Sequence, residues 1–203
     1  MKVAIIRYNA GNIRSVSFAL ERLGVEAIVT DNHDELRTAD RVIFPGVGHA
    51  ESAMEHLKAV GLNTVIPELK QPVLGICLGM QLMCTRSKEG NTDCLGIMNC
   101  DVVSMNALAI ADGPARCKIP HVGWNEIYDL KTNLFYGIAE DDFAYFIHSY
   151  AVLPNEYSIA HSRHGILFAA AMRKDNFFAV QFHPEKSGRT GKKIIENFLN
   201  IQL

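Results

Sequence analysis

The sequence predicts an α/β protein built on a doubly wound, mostly parallel sheet, with a β-rich antiparallel insertion late in the chain. Through the first half, short apolar runs alternate with amphipathic helical stretches, the pattern of βαβ units. Those runs are apolar throughout, as suits strands covered on both faces. From Asp101 to Ala171 the segments shorten and turn signals such as Asp112-Gly113-Pro114 enter, which predicts antiparallel or mixed β-structure.

Taken in order, KVAIIRY (2–8) is the first strand. After a turn at Asn9–Asn12, Val16, Ala19, Leu20 and Leu23 recur at helical spacing, and Gly24 ends the helix. VEAIVT (25–30) and RVIFPG (41–46) are the next strands, and Met54, Leu57 and Gly61 mark one face of the following helix. VLGI (73–76) is a fourth strand that runs directly into a helix over Leu78–Thr85. FFAVQF (177–182) returns to the buried-strand pattern, and a final helix from about Thr190 puts Ile194, Ile195, Phe198 and Leu199 on one face.

Length and composition set the frame. The 203 residues suit a single domain over 1–203 with a sizeable core. A formal net charge of −2 lacks the basic excess of a nucleic-acid-binding surface. No segment approaches the ~20 apolar residues that cross a bilayer. MKVAIIRYNAGN has no small-residue cleavage site and reads as a strand rather than a signal peptide, so a cytoplasmic protein is expected. The five cysteines (Cys77, Cys84, Cys94, Cys100, Cys117) are odd in number and contain no CxxC pair. A disulfide framework and a structural zinc site are therefore not expected, and each cysteine is by default a small buried hydrophobe.

Gly75-Ile76-Cys77-Leu78-Gly79 departs from that default. It has the G-x-nucleophile-x-G form of a strand–turn–helix elbow, with apolar VLGI before it and helical LGMQLMC after. A nucleophile on so sharp a turn needs glycine two residues to either side, because its flanks approach neighbouring elements closely. The placement also sets Cys77 at a helix N-terminus, which favours a thiolate, and aims the Leu78 N–H at any oxyanion formed by attack on a carbonyl.

A cysteine nucleophile needs a base, and the base needs an orienting group. Of the eight histidines, His33, His49 and His56 lie in polar or helical stretches and read as solvated. His161 and His164 lie in a turn-like SRHG segment and read as surface; His121 and His148, flanked by apolar residues, read as partly buried structural histidines. His183 differs, because it ends an apolar strand at the sheet edge where ligands of open α/β sheets gather. Pro184 stops the strand, and Glu185 can reach the distal imidazole nitrogen.

GICLGMQ (75–81) together with HPEKS (183–187) resembles the class I, triad-type glutamine amidotransferases, and the resemblance covers essentially the whole chain. It implies a flavodoxin-like fold, a Cys77–His183–Glu185 triad, and a role for Gln81 in holding the glutamine. PGVG (45–48), IPHVGWN (119–125), YFIHSY (145–150) and YNAGN (8–12) resemble one branch of the family, the glutaminase subunits of imidazole glycerol phosphate synthase. That branch implies a heterodimer with a separate cyclase subunit that uses the ammonia in histidine biosynthesis. It also implies Val47 as the second oxyanion donor, Gly48 at the substrate, and Asn12, Trp124, Tyr145 and Lys186 on the partner face. The chain has neither GxxxxGK[ST] nor GxGxxG, so an acceptor or cofactor domain is not expected.

The chemistry expected is attack by Cys77 on the glutamine carboxamide, with His183 moving the proton to the leaving ammonia and Glu185 orienting His183. Water then hydrolyses a glutamyl thioester. Gly46 and Gly48 permit a peptide flip in the PGVG strand, so the chain alone is expected to be nearly idle. The rival readings are another amidotransferase branch serving pyridoxal phosphate or anthranilate synthesis, a non-catalytic module on the same scaffold, and a cysteine hydrolase of another amide.

Overall fold

A computed structural model of the chain describes residues 1–8, 12–106 and 117–203. The turn expected at Asn9–Asn12 mostly, and the turn at Asp112-Gly113-Pro114 wholly, lie outside the described residues. In chain order the first half comprises β1 (Val3–Ile6), α1 (Ile13–Glu21), β2 (Ala27–Thr30), α2 (His33–Arg37), β3 (Arg41–Phe44), α3 (Ala50–Ala59), α4 (Leu62–Glu68), β4 (Val73–Ile76) and α5 (Leu78–Leu82). Then come two short strands, β5 (Arg86–Ser87) and β6 (Thr92–Asp93), followed by β7 (Asp101–Ser104), β8 (His121–Ile127), β9 (Asp142–His148) and β10 (Tyr150–Val152). The chain closes with β11 (Ser158–His164), β12 (Ile166–Lys174), β13 (Phe177–Val180) and α6 (Gly188–Asn200).

The main sheet has seven strands in the order β11-β12-β13-β4-β3-β1-β2. Pairing is parallel from β2 through β13 and antiparallel from β13 to β12 and from β12 to β11. The fully buried β-branched and aromatic runs of β1, β3, β4 and β13 form its centre. Successive side chains point to opposite faces. Val3 and Ile5 therefore pack with Val16 and Leu20 of α1 and with Ile194 and Phe198 of α6. Ala4 and Ile6 pack with Leu36, Leu57, Val65 and Leu82 of α2 to α5. Among the described residues no helix is long and apolar enough to cross a membrane.

Three features differ from what the sequence predicts. Helices α2 and α4 were not expected, because His33–Arg37 is almost wholly polar and α4 carries Pro67. The side chain of Asn32 caps α2 by accepting from the N–H groups of Asp34 and Glu35, a signal that was legible. Second, the β-rich region is not one insertion. β5, β6, β7 and β10 form a four-stranded sheet and β8 with β9 a hairpin, but β11 and β12 extend the main sheet. Third, His161 lies within β11 rather than in a turn, half-buried, with its ring 3.0 Å from Asp129, and the turn falls at Gly165 (φ +72°).

Candidate active site

The site forms where β4 and β13 end side by side. Ile76 pairs with Val180, and the Cys77 N–H continues the ladder by donating to the Val180 carbonyl at 2.8 Å. That one register brings the segment after β13, Gln181 to Glu185, against the nucleophile turn. Cys77 sits in a strained backbone conformation (φ 52°, ψ −106°) between β4 and α5. Gly79 must be glycine, since a Cβ there would lie 1.9 Å from the Phe44 carbonyl oxygen.

His183 and Glu185 are joined by a 2.7 Å bond between Nδ1 and Oε1, with both side chains fully buried. A ring nitrogen facing a carboxylate carries the proton, so Nε2 is the atom left for chemistry. Nε2 is buried and makes no hydrogen bond of ordinary geometry with the described residues. Burial lowers the affinity of the imidazole for a proton. Attraction by the Cys77 sulfur and by Glu185 outweighs it and pushes the pKa up to about 10. The imidazole therefore holds a proton at neutral pH.

Asn12 corrects an expectation. It was assigned to the partner face, yet it is only 5 % exposed and its amide donates to Glu185 Oε1 at 3.0 Å. It braces the carboxylate that orients His183. Gln181, expected only as part of a buried strand, lies fully buried behind the nucleophile. The Tyr150 carbonyl can only accept, so the amide of Gln81 turns its nitrogen there (3.0 Å) and also to Gln181 Oε1 (3.0 Å). Gln181 must then present its own nitrogen to the Cys77 sulfur, at 3.6 Å. The chain of bonds fixes both amides. Gln181→Leu should lower kcat/KM for glutamine by about 10–100-fold, as expected for a lost hydrogen bond to a charged group. Steady-state glutamate release tests this, and an unchanged value would remove Gln181 from the site.

A cavity of about 270 Å³ opens at Cys77, lined by Val47, Gly48, Leu78, Gln81, Glu89 and the 147–150 segment among others. Glu89, which sequence reasoning missed, is the carboxylate among these lining residues. It is held by the Ala50 N–H at 2.8 Å, at the start of α3. The Leu78 N–H, expected to be free, instead donates to the Gly46 carbonyl at 3.2 Å. The oxyanion position is therefore closed by the PGVG strand. A Cβ on Gly46 would meet Gly79 N at 2.8 Å, so only glycine lets that strand come so close.

Trp124, Tyr145 and Lys186 cluster outside the site. Trp124 is 55 % exposed and meets the Tyr145 ring edge-on at 6.0 Å, and the Lys186 ammonium lies 5.9 Å from the same ring. Val122, Phe143 and Ile147 extend this into an exposed apolar stripe on the β8–β9 hairpin. The hairpin is tied to the triad, since the His183 N–H donates to the Tyr145 carbonyl at 2.8 Å and Ser187 Oγ accepts from the Tyr145 N–H at 2.9 Å.

His121 and His148 are buried as expected and bonded to each other at 3.0 Å, with His148 Nδ1 donating to the Tyr150 carbonyl at 2.8 Å. Burial, with the neighbouring histidines, pulls their pKa values down to about 3 and about 4. A histidine depressed in this way adds stability above its unfolded value near 6.5, and that stability drains as pH falls toward 4. His148 alone should then cost about 2 kcal/mol by pH 5. Urea midpoints across pH 7 to 5 (about the range where the unfolded ring titrates) check this. His148→Gln should flatten the slope, and an unchanged slope would refute the assignment.

A model of the family "Glutamine amidotransferase class-I" matches residues 4–201. The chain is 57% identical over 201 residues to the imidazole glycerol phosphate synthase subunit HisH of Bacteroides fragilis, covering 99% of this chain and 100% of that one. It is 52% identical, with the same coverage, to the subunit of that name from Bacteroides thetaiotaomicron. The Pasteurella multocida HisH is 44% identical over 97% of this chain and 96% of its own. Among solved structures, a GMP synthase subunit from Thermoplasma acidophilum superposes with a TM-score of 0.73 at 20% identity, covering 98% of this chain and 92% of that one. A structure described as a glutamine amidotransferase superposes with a TM-score of 0.71 at 20% identity, covering 98% and 97%. At that identity both speak to the fold alone.

Proposed function

The chain belongs to the class I glutamine amidotransferase family, and from that premise we infer that it is the glutaminase subunit of an imidazole glycerol phosphate synthase. The observation that carries the branch is full-length identity of 52–57% to subunits of that name. The subunit hydrolyses glutamine and hands the ammonia to a separate cyclase subunit, to which the lyase chemistry belongs. The other amidotransferase branches, the inert module and the cysteine hydrolase of another amide fall away with this assignment. The chain works as one domain over residues 1–203, in the cytoplasm.

Cys77 is the nucleophile. The charged His183 stabilises its thiolate, and Gln181 donates to the sulfur. Glutamine enters the cavity with its ammonium toward Glu89 and Gln81 and its carboxamide over Cys77. Attack gives a tetrahedral oxyanion, and His183, already protonated, passes its proton to the departing ammonia. Water, deprotonated by His183, then releases glutamate from the thioester. Glu185 and Asn12 hold His183 in the tautomer this requires.

The oxyanion has no free donor in the resting geometry, because Gly46 occupies the Leu78 N–H. Rotation of the Gly46–Val47 peptide would withdraw that carbonyl and turn the Val47 N–H inward, supplying two donors at once. The cyclase docks on the Trp124–Tyr145–Lys186 stripe, and the Tyr145–His183 and Tyr145–Ser187 bonds link that surface to the triad. Free ammonia would be protonated in bulk water, so a docked partner protects its nucleophilicity. Glutamate release assayed on the chain alone, then with the cyclase and its nucleotide ligand, tests the reading. A complex that releases no glutamate would overturn it.

A further inference from the structure

Two cysteines that the mechanism leaves idle meet beneath the nucleophile helix. Cys84 is buried just beyond α5, and Cys100 is partly exposed just before β7. Their sulfurs are hydrogen-bonded at 3.5 Å. The backbone holds both residues in place from either side. The Thr85 N–H donates to the Cys100 carbonyl at 2.9 Å, and the Gly96 N–H donates to the Cys84 carbonyl at 2.8 Å. Cys94, the third thiol of this region, turns its sulfur to the Thr92 carbonyl at 3.6 Å instead. Burial pushes its thiol up to about 12, which leaves it a poor nucleophile.

We propose that Cys84 and Cys100 are a thiol–disulfide site, oxidised by hydroperoxides to a reversible intramolecular disulfide. Cys100 reacts first. It is the more accessible of the two, and its bond with Cys84 holds its thiol below the ordinary value. The same bond, together with burial, holds the Cys84 thiol well up, so Cys84 keeps its proton. The Cys100 thiolate attacks a peroxide oxygen, the O–O bond breaks, and hydroxide leaves, giving a sulfenic acid. Cys84 then attacks the Cys100 sulfur, the S–O bond breaks, and water departs with the Cys84 proton. Two thiols lose two electrons and one peroxide becomes two waters. The sulfurs need to approach by only about 1.5 Å to reach bonding distance.

The bond would close the segment from Thr85 to Asn99. That segment carries Glu89, which lines the cavity at Cys77, and it leaves directly from the helix that carries Gln81. Oxidation at this site would therefore restrain the cavity wall without touching the nucleophile.

The test uses the full chain with Cys77→Ser, which removes the competing reactive thiol, treated with hydrogen peroxide. Peptide mapping without reductant should recover Cys84 and Cys100 linked, with the intact mass lower by two hydrogens and restored by dithiothreitol. The thermal midpoint should rise by about 5 °C or more on cross-linking. In Cys84→Ala the link and the rise should vanish, and Cys100 should proceed to sulfinic acid. Should that variant fail to fold, Cys100→Ser, at the more exposed position, must abolish both effects equally. Overoxidised Cys100 beside a free Cys84 in the Cys77→Ser chain, or a link made through Cys94, would overturn the proposal.

Discussion

Replacing Cys77 by serine should lower glutamine turnover by the assembled enzyme at least about 10⁴-fold. The size of the effect follows from how the surroundings are arranged. His183 is charged because burial is outweighed by the Cys77 sulfur and by Glu185. A serine hydroxyl holds its proton far more tightly than a thiol, so a charged imidazole has no proton to accept and cannot act as its base. Gln181 offers a donor to the position, which suits a thiolate and does nothing to activate a hydroxyl. The fold should survive, since serine is the smaller isostere. It must adopt the same positive φ of 52°, which the surrounding ladder bond to Val180 already imposes on cysteine. Glutamate release and a circular dichroism melt on the same sample separate the two outcomes. Turnover within 100-fold of the parent (about 3 kcal/mol of transition-state energy) by a folded variant would remove Cys77 from the nucleophile's role.

The residues needed to make that prediction were legible in the sequence to different degrees, for physical reasons. Cys77 could be read because an elbow is local. The glycine at position 79 is there since the Phe44 carbonyl leaves no room for a Cβ, and that requirement is written into five adjacent residues. The buried strands β1, β3, β4 and β13 could be read because their apolar runs are short and bounded. Helix α2 could not be read by periodicity, since it buries only Leu36. β11 and β12 looked like part of an insertion because small and polar residues such as Ala169, Ala170 and Ser162 fill their buried positions. Asn12 and Gln181 were hidden for another reason. Each acts through a partner far along the chain, Glu185 for one and Cys77 for the other, and only the register of β13 on β4 and the packing of α1 create those contacts. The occupied Leu78 N–H is of the same kind, a contact between the third strand's end and the elbow that no local pattern encodes.

That contact sets the second large effect, which is that the isolated chain should hydrolyse glutamine about 10²–10³-fold more slowly than the chain bound to the cyclase and its nucleotide ligand. One oxyanion donor is worth about that factor when removed. In the resting geometry the Leu78 N–H is spent on Gly46, so the developing negative charge would face a carbonyl oxygen instead of a donor. The rest of the machinery is in place beside it: His183 is oriented and Cys77 is placed at the cavity. The barrier therefore lies in one peptide, and kcat should change far more than KM, because Glu89 and Gln81 already face the cavity in the free chain. Trp124 and Tyr145 lie on the exposed side of a hairpin whose backbone bonds reach His183 and Ser187, so docking there has a short route to the triad. Gly48, at φ +116° with open space around its missing side chain, is where the strand can pivot. Gly48→Ala should consequently shrink the ratio of activated to basal rate, since alanine resists that backbone angle. Glutamate release measured with and without the cyclase and ligand, on parent and variant, decides the matter. A free chain as fast as the complex would show that the Gly46 carbonyl is no obstacle to the oxyanion.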